Sequence, residues 1–367
     1  MSFDAVDARH MARALRLAEK GLATADPNPR VGCVIADGER VLGEGFHGRA
    51  GGPHAEIEAL RDAGGPVRGA TAYVTLEPCS HHGRTPPCAD ALVEAGLRRV
   101  VFAIGDPNPR VNGDGASRLA AAGVVVESGL MAAEARALNP GFFSRMQRGR
   151  PFVRLKLAAS LDGRTAPGSG ASRWITGEAA RADVQRLRAR SGAILTGIAT
   201  VLADDPRLDV RLPGATRQPL RVILDRRLAL PATARLLDPP GELLVFTTAQ
   251  GASRAGALAA RGARVEALPE AGRGLDLAAA LTRLAALEVN ELMVEAGPTL
   301  AGALLEADLV DEFVLYLAPV LLGPDARPLA LLPPLADMRD RRGFDIVDSR
   351  RVGADLRLTL APRNASS

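Results

Sequence analysis

Metal-ligating side chains are concentrated in one short part of the sequence. The chain contains five histidines and three cysteines. Four of the histidines lie between His47 and His82, with Cys79 and Cys88 beside them. Zinc sites in proteins need three or four such side chains to converge. The clustering of these scarce residue types therefore predicts a zinc site formed by the segments "PHAEIEAL" and "LEPCSHHGRTPPC".

Three of these side chains, His54, Cys79 and Cys88, suit a catalytic zinc. Three protein ligands leave a fourth position for water, and the non-ligand Glu56 can shuttle protons to and from that water. His54 and Glu56 are expected to open a helix. Cys79 is expected to end a strand, and Cys88 to begin a helix whose dipole stabilises a thiolate. The pattern matches the H-x-E … P-C-x-x-C signature of zinc-dependent deaminases, except that the second cysteine lies further along the chain.

The other histidines and the third cysteine leave alternatives open. His81 or His82 would close the site as a structural zinc if either supplied a fourth ligand; otherwise both line the pocket or face solvent. Cys33 is expected to be a small buried strand residue. His10, on an arginine-rich helix, is expected at the surface.

The hexapeptide "DPNPRV" occurs twice, at Asp26–Val31 and at Asp106–Val111. The first copy precedes an expected strand and the second follows one, so duplication is the weakest explanation. Each proline fixes its own φ and restricts the backbone of the residue before it. The side chains of Asn28 and Asn108 are therefore each held in one orientation. Plain turns explain either copy alone. With the zinc ligands between them, the copies are interpreted as two walls of one pocket.

Alternating strands and helices must position these residues, which predicts an α/β layer sandwich in the first half of the chain. Its strands are expected at Val31–Ala36, Ala70–Leu76, Val100–Ile104 and Val124–Ser128. Its helices are expected at about 4–22, 54–63, 87–96 and 114–122.

A second α/β domain is expected after the polar, Gly/Pro-marked seam "RMQRGRP". Its strands are expected at Phe152–Ala159, Ala193–Thr196, Leu220–Asp225, Leu243–Thr247, Glu291–Glu295 and Glu312–Leu317. No G-x-G-x-x-G follows a strand here, and the best phosphate cradle is "ELMVEAGPTLAGALLEA". In it, Gly297 permits a tight turn and Pro298 opens a helix with free N–H groups.

Composition excludes several classes of protein. The formal net charge is +4 and aromatic residues make up only 3%, so neither a basic block nor stacking platforms indicate nucleic-acid binding. No stretch approaches 18 uncharged apolar residues, and the charged, amphipathic first twenty residues do not resemble a signal peptide. The odd cysteine count favours a reducing compartment, so we expect a cytoplasmic protein.

With these residues in hand, the sequence resembles the RibD family of bifunctional riboflavin-biosynthesis proteins. The stretches that carry the match span nearly the whole chain: "PNPRVGCVI", "GGPHAEIEAL", "ATAYVTLEPCSHHGRTPPC", "DPNPRV", "LKLAASLDGRTA", "SRWITG", "ILTGIATVLADDPRLDVR" and "VEAGPTLAG". The resemblance implies a zinc-dependent pyrimidine deaminase domain at 1–148 with a three-layer, cytidine-deaminase-like fold. It implies an NADPH-dependent reductase domain at 151–367 with a dihydrofolate-reductase-like fold.

The same resemblance implies two reactions on a small phosphoribosyl-pyrimidine. The first is hydrolytic deamination of 2,5-diamino-6-(5-phosphoribosylamino)pyrimidin-4(3H)-one. The second reduces the ribosyl side chain of 5-amino-6-(5-phosphoribosylamino)uracil to ribityl, by hydride delivery to C1 of the open-chain imine. Neither a nucleic acid nor a membrane is an expected partner, and a homodimer or homotetramer is expected.

By resemblance, His54, Cys79 and Cys88 hold zinc and Glu56 is the catalytic acid and base. The expected substrate contacts of the deaminase are Asn28, His47, Arg84, Asp106 and Asn108. The expected NADPH contacts are Ala158, Trp174, Thr200, Asp204, Gly297, Pro298, Thr299, Leu300, Ala301, Gly302 and Ala303. The expected substrate contacts of the reductase are Ser172, Arg188, Leu208, Arg211 and Glu295.

Other residues of the second half leave alternatives open. Lys156, in an otherwise apolar strand, needs a partner or a function, and we expect it to polarise the substrate or bind its phosphate. Trp174 could instead fill the core, and Arg188 and Arg211 could be solvated charges. Arg226 follows a strand near the expected 2′-phosphate of the cofactor and favours NADPH.

Rival functions share some of these motifs. A nucleic-acid base deaminase of the tRNA-editing type also contains H-A-E and P-C, but the low aromatic content argues against it. A second domain that is only a scaffold is a further alternative. A structural zinc protein without turnover is the least favoured.

Overall fold

The computed structural model describes residues 3–80, 87–109, 111–168, 174–272 and 274–363. The chain divides into two compact units, Met1–Arg150 and Pro151–Ser367. Within the described part of the chain, no helix combines the length and the apolar character that crossing a bilayer requires.

The first unit is built on a five-stranded sheet with the order β2-β1-β3-β4-β5. Its strands are β1 (Gly32–Asp37), β2 (Arg40–Phe46), β3 (Thr71–Val74), β4 (Arg99–Phe102) and β5 (Val125–Ser128). Its helices are α1 (Ala5–Glu19), α2 (Ala55–Ala63), α3 (Cys88–Glu94), α4 (Asp114–Ala121), α5 (Ala132–Leu138) and α6 (Pro140–Arg148). β1 pairs antiparallel with β2 and β3, whereas β3, β4 and β5 are parallel.

Helices cover both faces of this sheet. Side chains of β1 alternate between two apolar clusters, because successive residues of a strand point to opposite faces. Cys33 and Ile35 belong to the cluster formed with α2, α3 and α4. Val34 and Ala36 belong to the cluster formed with α1 and α5. The three-layer α/β fold and the buried position of Cys33 are therefore confirmed.

One expectation for the first unit was wrong. His10 is buried rather than at the surface. Its Nε2 lies 2.9 Å from the carbonyl oxygen of Gly38, and its ring lies 5.0 Å from the ring of Tyr73. The polar seam was predicted as a boundary between domains, and the two units divide within it, at Arg150 and Pro151, just after α6 ends at Arg148.

The second unit is built on a nine-stranded sheet with the order β11-β10-β9-β8-β14-β6-β15-β18-β17. Its strands are β6 (Phe152–Ser160), β7 (Arg164–Ala166), β8 (Ala193–Gly197), β9 (Leu220–Leu224), β10 (Leu243–Thr247), β11 (Arg264–Ala267), β12 (Glu270–Ala271), β13 (Gly274–Leu275), β14 (Glu291–Glu295), β15 (Glu312–Ala318), β16 (Arg327–Pro328), β17 (Phe344–Val352) and β18 (Asp355–Pro362). Its helices are α7 (Glu178–Arg190), α8 (Ile198–Asp204), α9 (Ala249–Ala252), α10 (Gly256–Ala259), α11 (Leu277–Ala286) and α12 (Pro298–Glu306), with short 3₁₀ turns at Arg235–Leu237 and Met338–Asp340.

The large sheet is parallel from β11 to β15, and the hairpin β17–β18 extends it with antiparallel pairing. One face packs on α11 and α12, and the other on α7 and α8. Glu295 at the end of β14 pairs in register with Lys156 of β6. The sheet thus brings two charged residues expected at the reductase site side by side.

Candidate active sites of the two units

The three expected zinc ligands converge in the first unit. Nδ1 of His54 lies 3.2 Å from Sγ of Cys88 and 3.5 Å from Sγ of Cys79. All three ligand atoms lie within 4.8 Å of one another. Zinc bonds of about 2.0–2.3 Å in tetrahedral geometry require separations of this size, and one His with two Cys is a donor set that zinc prefers. The residues therefore fit the ion.

Two of these ligands lie at helix N-termini, and the third lies in a turn. His54 is the N-cap residue of α2, and Cys88 is the first residue of α3. Cys79 does not end a strand as expected, because β3 stops at Val74 and Cys79 lies in the turn that follows. The backbone N–H of Cys88 donates to Sγ of Cys79 over 3.4 Å, which joins the turn to α3.

A missing side chain allows α2 to approach the sheet closely. A Cβ atom on Gly45 of β2 would lie 2.5 Å from the carbonyl oxygen of Ala55 and 2.5 Å from the backbone nitrogen of Ala59. Any other residue at this position would push the helix away. The first turn of α2, with His54 and Glu56, therefore lies directly against β2.

Burial alters the proton affinity of Glu56. Its side chain is 3% exposed. Burial raises its pKa to about 7, the negative charge of Cys79 adds to the rise, and His54 opposes it. A carboxyl group with this pKa can both accept and return a proton near neutral pH.

The two thiols titrate very differently. A hydrogen bond from Cys88 lowers the pKa of Cys79 to about 4, against the effect of burial and with further help from His54. The same hydrogen bond, together with burial, raises the pKa of Cys88. Cys79 is thus a thiolate at neutral pH, the form in which a cysteine binds a metal.

Asn28, from the first DPNPRV copy, reaches the neighbourhood of the zinc ligands through His47. Nδ1 of His47 donates to the carbonyl oxygen of Pro53 over 2.9 Å, and Nε2 accepts from Nδ2 of Asn28 over 3.0 Å. Burial lowers the pKa of His47, and one donating and one accepting nitrogen are the pattern of a neutral imidazole. Its centroid lies 5.4 Å from that of His54, edge to face.

The second DPNPRV copy forms a compact turn. Oδ1 of Asp106 accepts the backbone N–H of Asn108 over 2.8 Å. Burial raises the pKa of Asp106 to about 6; this N–H opposes the rise, and the charges of Glu77 and Cys79 add to it. The backbone N–H of Asp106 donates to Oε2 of Glu77 over 3.3 Å, so the second copy lies beside the turn that carries Cys79. Arg84, His81 and His82 lie outside the described residues.

The second unit contains a wide cleft of about 2220 Å³ at the carboxyl ends of β8, β9 and β14. Ligands of open α/β sheets bind at such ends. Most of the expected reductase residues line it: Lys156, Ala158, Trp174, Arg188, Thr200, Asp204, Leu208, Arg211, Glu295, Gly297, Pro298, Thr299, Leu300 and Ala303. Ala301 and Gly302 are buried away from the cleft, and Ser172 lies outside the described residues.

The expected phosphate cradle is formed by α12. Gly297 is its N-cap residue, and Pro298 opens the helix. A Cβ on Gly297 would lie 3.6 Å from Oγ1 of Thr200, so α8 faces the same turn. Free N–H groups at the start of a nine-residue helix suit a pyrophosphate, and the cleft is wide enough for a dinucleotide beside a second ligand. The residues therefore fit NADPH.

Arg188 is not a solvated charge. Its Nε and Nη2 donate to the two carboxylate oxygens of Glu295 over 2.6 and 2.9 Å, and Nη1 donates to the carbonyl oxygen of Asp209 over 3.0 Å. Its charge is therefore balanced inside the protein. Arg211 is more open, with 53% of its side chain exposed, and it pairs with the Asp209 carboxylate. The same carboxylate accepts from Arg207, a cleft residue that the sequence reasoning missed.

Trp174 does not fill the core, because it is 68% exposed at the cleft. The guanidinium carbon of Arg181 lies 4.6 Å from the centre of its ring. Arg226 also lines the cleft, where it forms an ion pair with Glu270.

Comparison with known proteins agrees with both sites. Residues 4–104 match the cytidine and deoxycytidylate deaminase zinc-binding region, and residues 151–357 match the RibD C-terminal domain. The riboflavin biosynthesis protein RibD of Escherichia coli (strain K12) is 52% identical over 366 residues, which cover 96% of this chain and 99% of the relative.

Two solved structures are similar over almost the whole chain. Acinetobacter baumannii RibD, form 1, has a TM-score of 0.92 at 46% identity and covers 98% of this chain and 99% of its own. A diaminohydroxyphosphoribosylaminopyrimidine deaminase/5-amino-6-(5-phosphoribosylamino)uracil reductase from Thermotoga maritima has a TM-score of 0.88 at 34% identity, with the same two coverages of 98% and 99%.

The fold and the two sites define a bifunctional enzyme that joins a zinc-dependent deaminase to an NADPH-dependent reductase. The chain belongs to the RibD family of riboflavin-biosynthesis proteins. This assignment decides against the nucleic-acid base deaminase and against a second domain without catalysis.

Proposed function

We propose that the chain deaminates 2,5-diamino-6-(5-phosphoribosylamino)pyrimidin-4(3H)-one and then reduces 5-amino-6-(5-phosphoribosylamino)uracil at its ribosyl side chain. The observation that carries the first step is the convergence of one histidine and two cysteines beside a buried carboxyl group. The similarity to the Thermotoga maritima deaminase/reductase supports these substrates. We assign the deaminase to residues 1–148 and the reductase to residues 151–367.

In the deaminase, His54, Cys79 and Cys88 would hold the zinc. When bound, zinc acts as a Lewis acid and makes water a nucleophile near neutral pH. Glu56 removes the proton from the attacking water and delivers it to the ring nitrogen, and it then assists the departure of ammonia. Its pKa of about 7 suits both directions of transfer.

The substrate would be held between the two DPNPRV copies. The amide of Asn28 and the neutral ring of His47 form one side, next to His54. Asp106 and Asn108 form the other side. Arg84 is assigned to the substrate phosphate, because a guanidinium binds phosphate oxygens with two parallel hydrogen bonds.

In the reductase, the start of α12 would hold the pyrophosphate of NADPH, which supplies a hydride when bound. Gly297, Pro298 and the following residues of α12 form this cradle, with Thr200 and Asp204 of α8 at the same cleft. Arg226 would contact the 2′-phosphate, which distinguishes NADPH from NADH.

The ribosyl group would lie beside the charged residues of β6 and β14. Lys156 lines the cleft, and both oxygens of Glu295 are taken by Arg188. Lys156, which is paired in register with Glu295 on the neighbouring strand, would polarise C1 of the open-chain imine. Arg211 is the more open cation for the substrate phosphate.

The chain is also proposed to form a homodimer or homotetramer. The edge strand β17 supports this proposal, because Ile346 and Val347 on it are 67% and 66% exposed. Light scattering of the purified chain measures the state directly.

The test of the deaminase site is Glu56→Gln. The amide cannot accept the proton, so ammonia release should fall by about 10²–10⁴-fold, while one zinc per chain is retained. The matched control is Glu58→Gln on the same helix. Glu58 is half-exposed and pairs only with Arg61 among the contacts of the described residues, so this variant should keep full activity. Retained turnover in Glu56→Gln would remove Glu56 from its role.

Ammonia release and NADPH oxidation measure the two proposed reactions separately. The intact protein, given the diaminopyrimidine substrate and NADPH, should release ammonia first and then oxidise NADPH. Absence of NADPH oxidation with the deaminated intermediate would contradict the proposed reduction.

A further inference from the structure

Glu77 precedes the zinc ligand Cys79 by two residues and is buried, with 5% of its surface exposed. Its carboxylate accepts three backbone N–H groups from a distant part of the chain. Oε2 accepts from Asp106 over 3.3 Å and from Gly113 over 3.2 Å, and Oε1 accepts from Ala116 over 3.2 Å. One side chain thus holds both ends of the segment 106–116, which begins with the second DPNPRV copy.

A carboxylate is the side chain that suits this position. An ionised carboxylate only accepts hydrogen bonds, and the three groups that face it are all donors. The N-cap residue of α4 is Gly113, which has no side chain to cap the helix. Glu77 supplies the cap from another part of the chain, and the helix dipole favours its negative charge.

The approach of α4 to the turn of Glu77 is very close. A Cβ atom on Gly115 would lie 1.9 Å from the carbonyl oxygen of Pro78 and 3.3 Å from Oε1 of Glu77. The backbone N–H of Glu77 itself donates to the carbonyl oxygen of Ile104 over 2.9 Å. The turn that carries Cys79 is therefore joined to the segment on both of its sides.

The restraint continues from Glu77 to the residues assigned to the substrate. Glu77 holds the backbone of Asp106, and the side chain of Asp106 holds the backbone of Asn108. If Asp106 and Asn108 moved, their contacts with the substrate would weaken, so the main consequence would be a higher KM.

We propose that Glu77 is a positioning residue of the deaminase, which fixes Asp106 and Asn108 relative to the turn that carries Cys79. Glu77 acts through Asp106 and Asn108 and contacts neither zinc nor substrate. The inference rests on the proposed substrate-binding role of those two residues.

The test is Glu77→Gln, which keeps the volume but turns one acceptor into a donor that faces N–H groups. The KM of the deamination should rise about tenfold, with a much smaller change in kcat. The zinc content and the reductase activity of the same chain should not change. The matched control is Asp62→Asn, which alters a carboxylate of the same unit that accepts the backbone N–H of Glu44 over 2.9 Å.

A double-mutant cycle separates positioning from general stability. If Glu77 acts through Asp106, the KM of Glu77→Gln/Asp106→Asn should be close to that of the worse single variant. Multiplicative effects on KM, or an unchanged KM in zinc-loaded Glu77→Gln, would overturn the proposal. Should Glu77→Gln lose zinc or fail to fold, Glu77→Asp keeps the charge with a shorter reach, and an unchanged KM in that variant overturns the proposal equally.

Separate variants distinguish the proposed substrate contacts from the positioning role of Glu77. If Asp106→Asn and Asn108→Ala leave KM unchanged, the proposed substrate contacts are wrong. If they raise KM while Glu77→Gln does not, only the positioning role is wrong.

Discussion

Glu56, which is buried, and Lys156, which is half-buried, are titratable residues, one in each unit, whose pKa values are shifted by desolvation. Burial raises the pKa of Glu56 to about 7. Burial lowers the pKa of Lys156, Glu295 opposes this effect and Arg188 adds to it. Groups whose pKa lies near the working pH are the most effective proton donors and acceptors. At the scale of single residues, desolvation therefore prepares Glu56 for proton transfer, and in the reductase it lowers the pKa of Lys156.

Lys156→Met should abolish most reductase activity without loss of stability. The methionine has a similar length but cannot polarise the substrate, so kcat of NADPH oxidation should fall by about 10²–10⁴-fold. Lys156 is only half-buried, and the neighbouring Glu295 keeps both hydrogen bonds from Arg188 when the ammonium is removed, so the Tm should not decrease.

The control for this variant is Lys20→Met, in the first unit, where Lys20 lies over the ring of Phe46. It should leave NADPH oxidation unchanged, and ammonia release should be normal in Lys156→Met. Normal NADPH oxidation in Lys156→Met would mean that the ammonium only packs against Tyr316.

At the scale of elements, close helix–strand packing positions the zinc ligands. α2 lies against β2 because Gly45 has no side chain, and its first turn carries His54 and Glu56. The geometry of the metal site therefore depends on a residue that contacts neither metal nor substrate.

Gly45→Ala should weaken zinc binding. The added Cβ would lie 2.5 Å from backbone atoms of α2, and relief of such overpacking costs about 1–3 kcal/mol. Competition with a chelator measures the zinc affinity. Gly48→Ala is the matched control, because its nearest neighbour atom would be 3.8 Å away. Equal zinc affinities of the two variants would show that α2 adapts without moving its ligands.

Several strands that bury apolar side chains on both faces were predictable from the sequence, whereas two elements with interrupted or exposed patterns were missed. β6, β8 and β14 are apolar runs covered on both faces, and their hydrophobic pattern is therefore clear. β2 was missed because glycines interrupt its pattern. The hairpin β17–β18 was missed because most of β17 is exposed and charged.

The residues of the two functional sites were also only partly predictable from the sequence. The scarcity of His and Cys made the zinc ligands conspicuous, whereas the expected contacts at Ala301 and Gly302 proved to be buried. Glu77 was missed because its role is to accept N–H groups that are distant in sequence. No local pattern of residues reveals such contacts.

At the scale of the whole molecule, the two units have separate cores and separate chemistries. The apolar clusters of the first unit extend to Met146, and those of the second unit begin at Val153, on either side of the division at residue 150. The ligand cluster belongs entirely to the first unit. Loss of metal should therefore affect one activity and leave the other.

Removal of zinc with a chelator should abolish ammonia release while NADPH oxidation with 5-amino-6-(5-phosphoribosylamino)uracil continues. Stoichiometric zinc should restore deamination, and calorimetry should show that only one of the unfolding transitions shifts, because binding stabilises only the unit that binds. A parallel loss of reductase activity on chelation would contradict the independence of the two units.

The position of Trp174 has an optical consequence. It is the single tryptophan of the chain, and it lies exposed at the reductase cleft beside Arg181. Tryptophan fluorescence of the intact enzyme therefore originates from one place in the second unit. Reduced nicotinamide absorbs light in the range where indole emits, so a cofactor bound in the cleft quenches this emission by energy transfer. The deaminase unit contains no tryptophan, so ligands that bind only to the deaminase do not change this fluorescence.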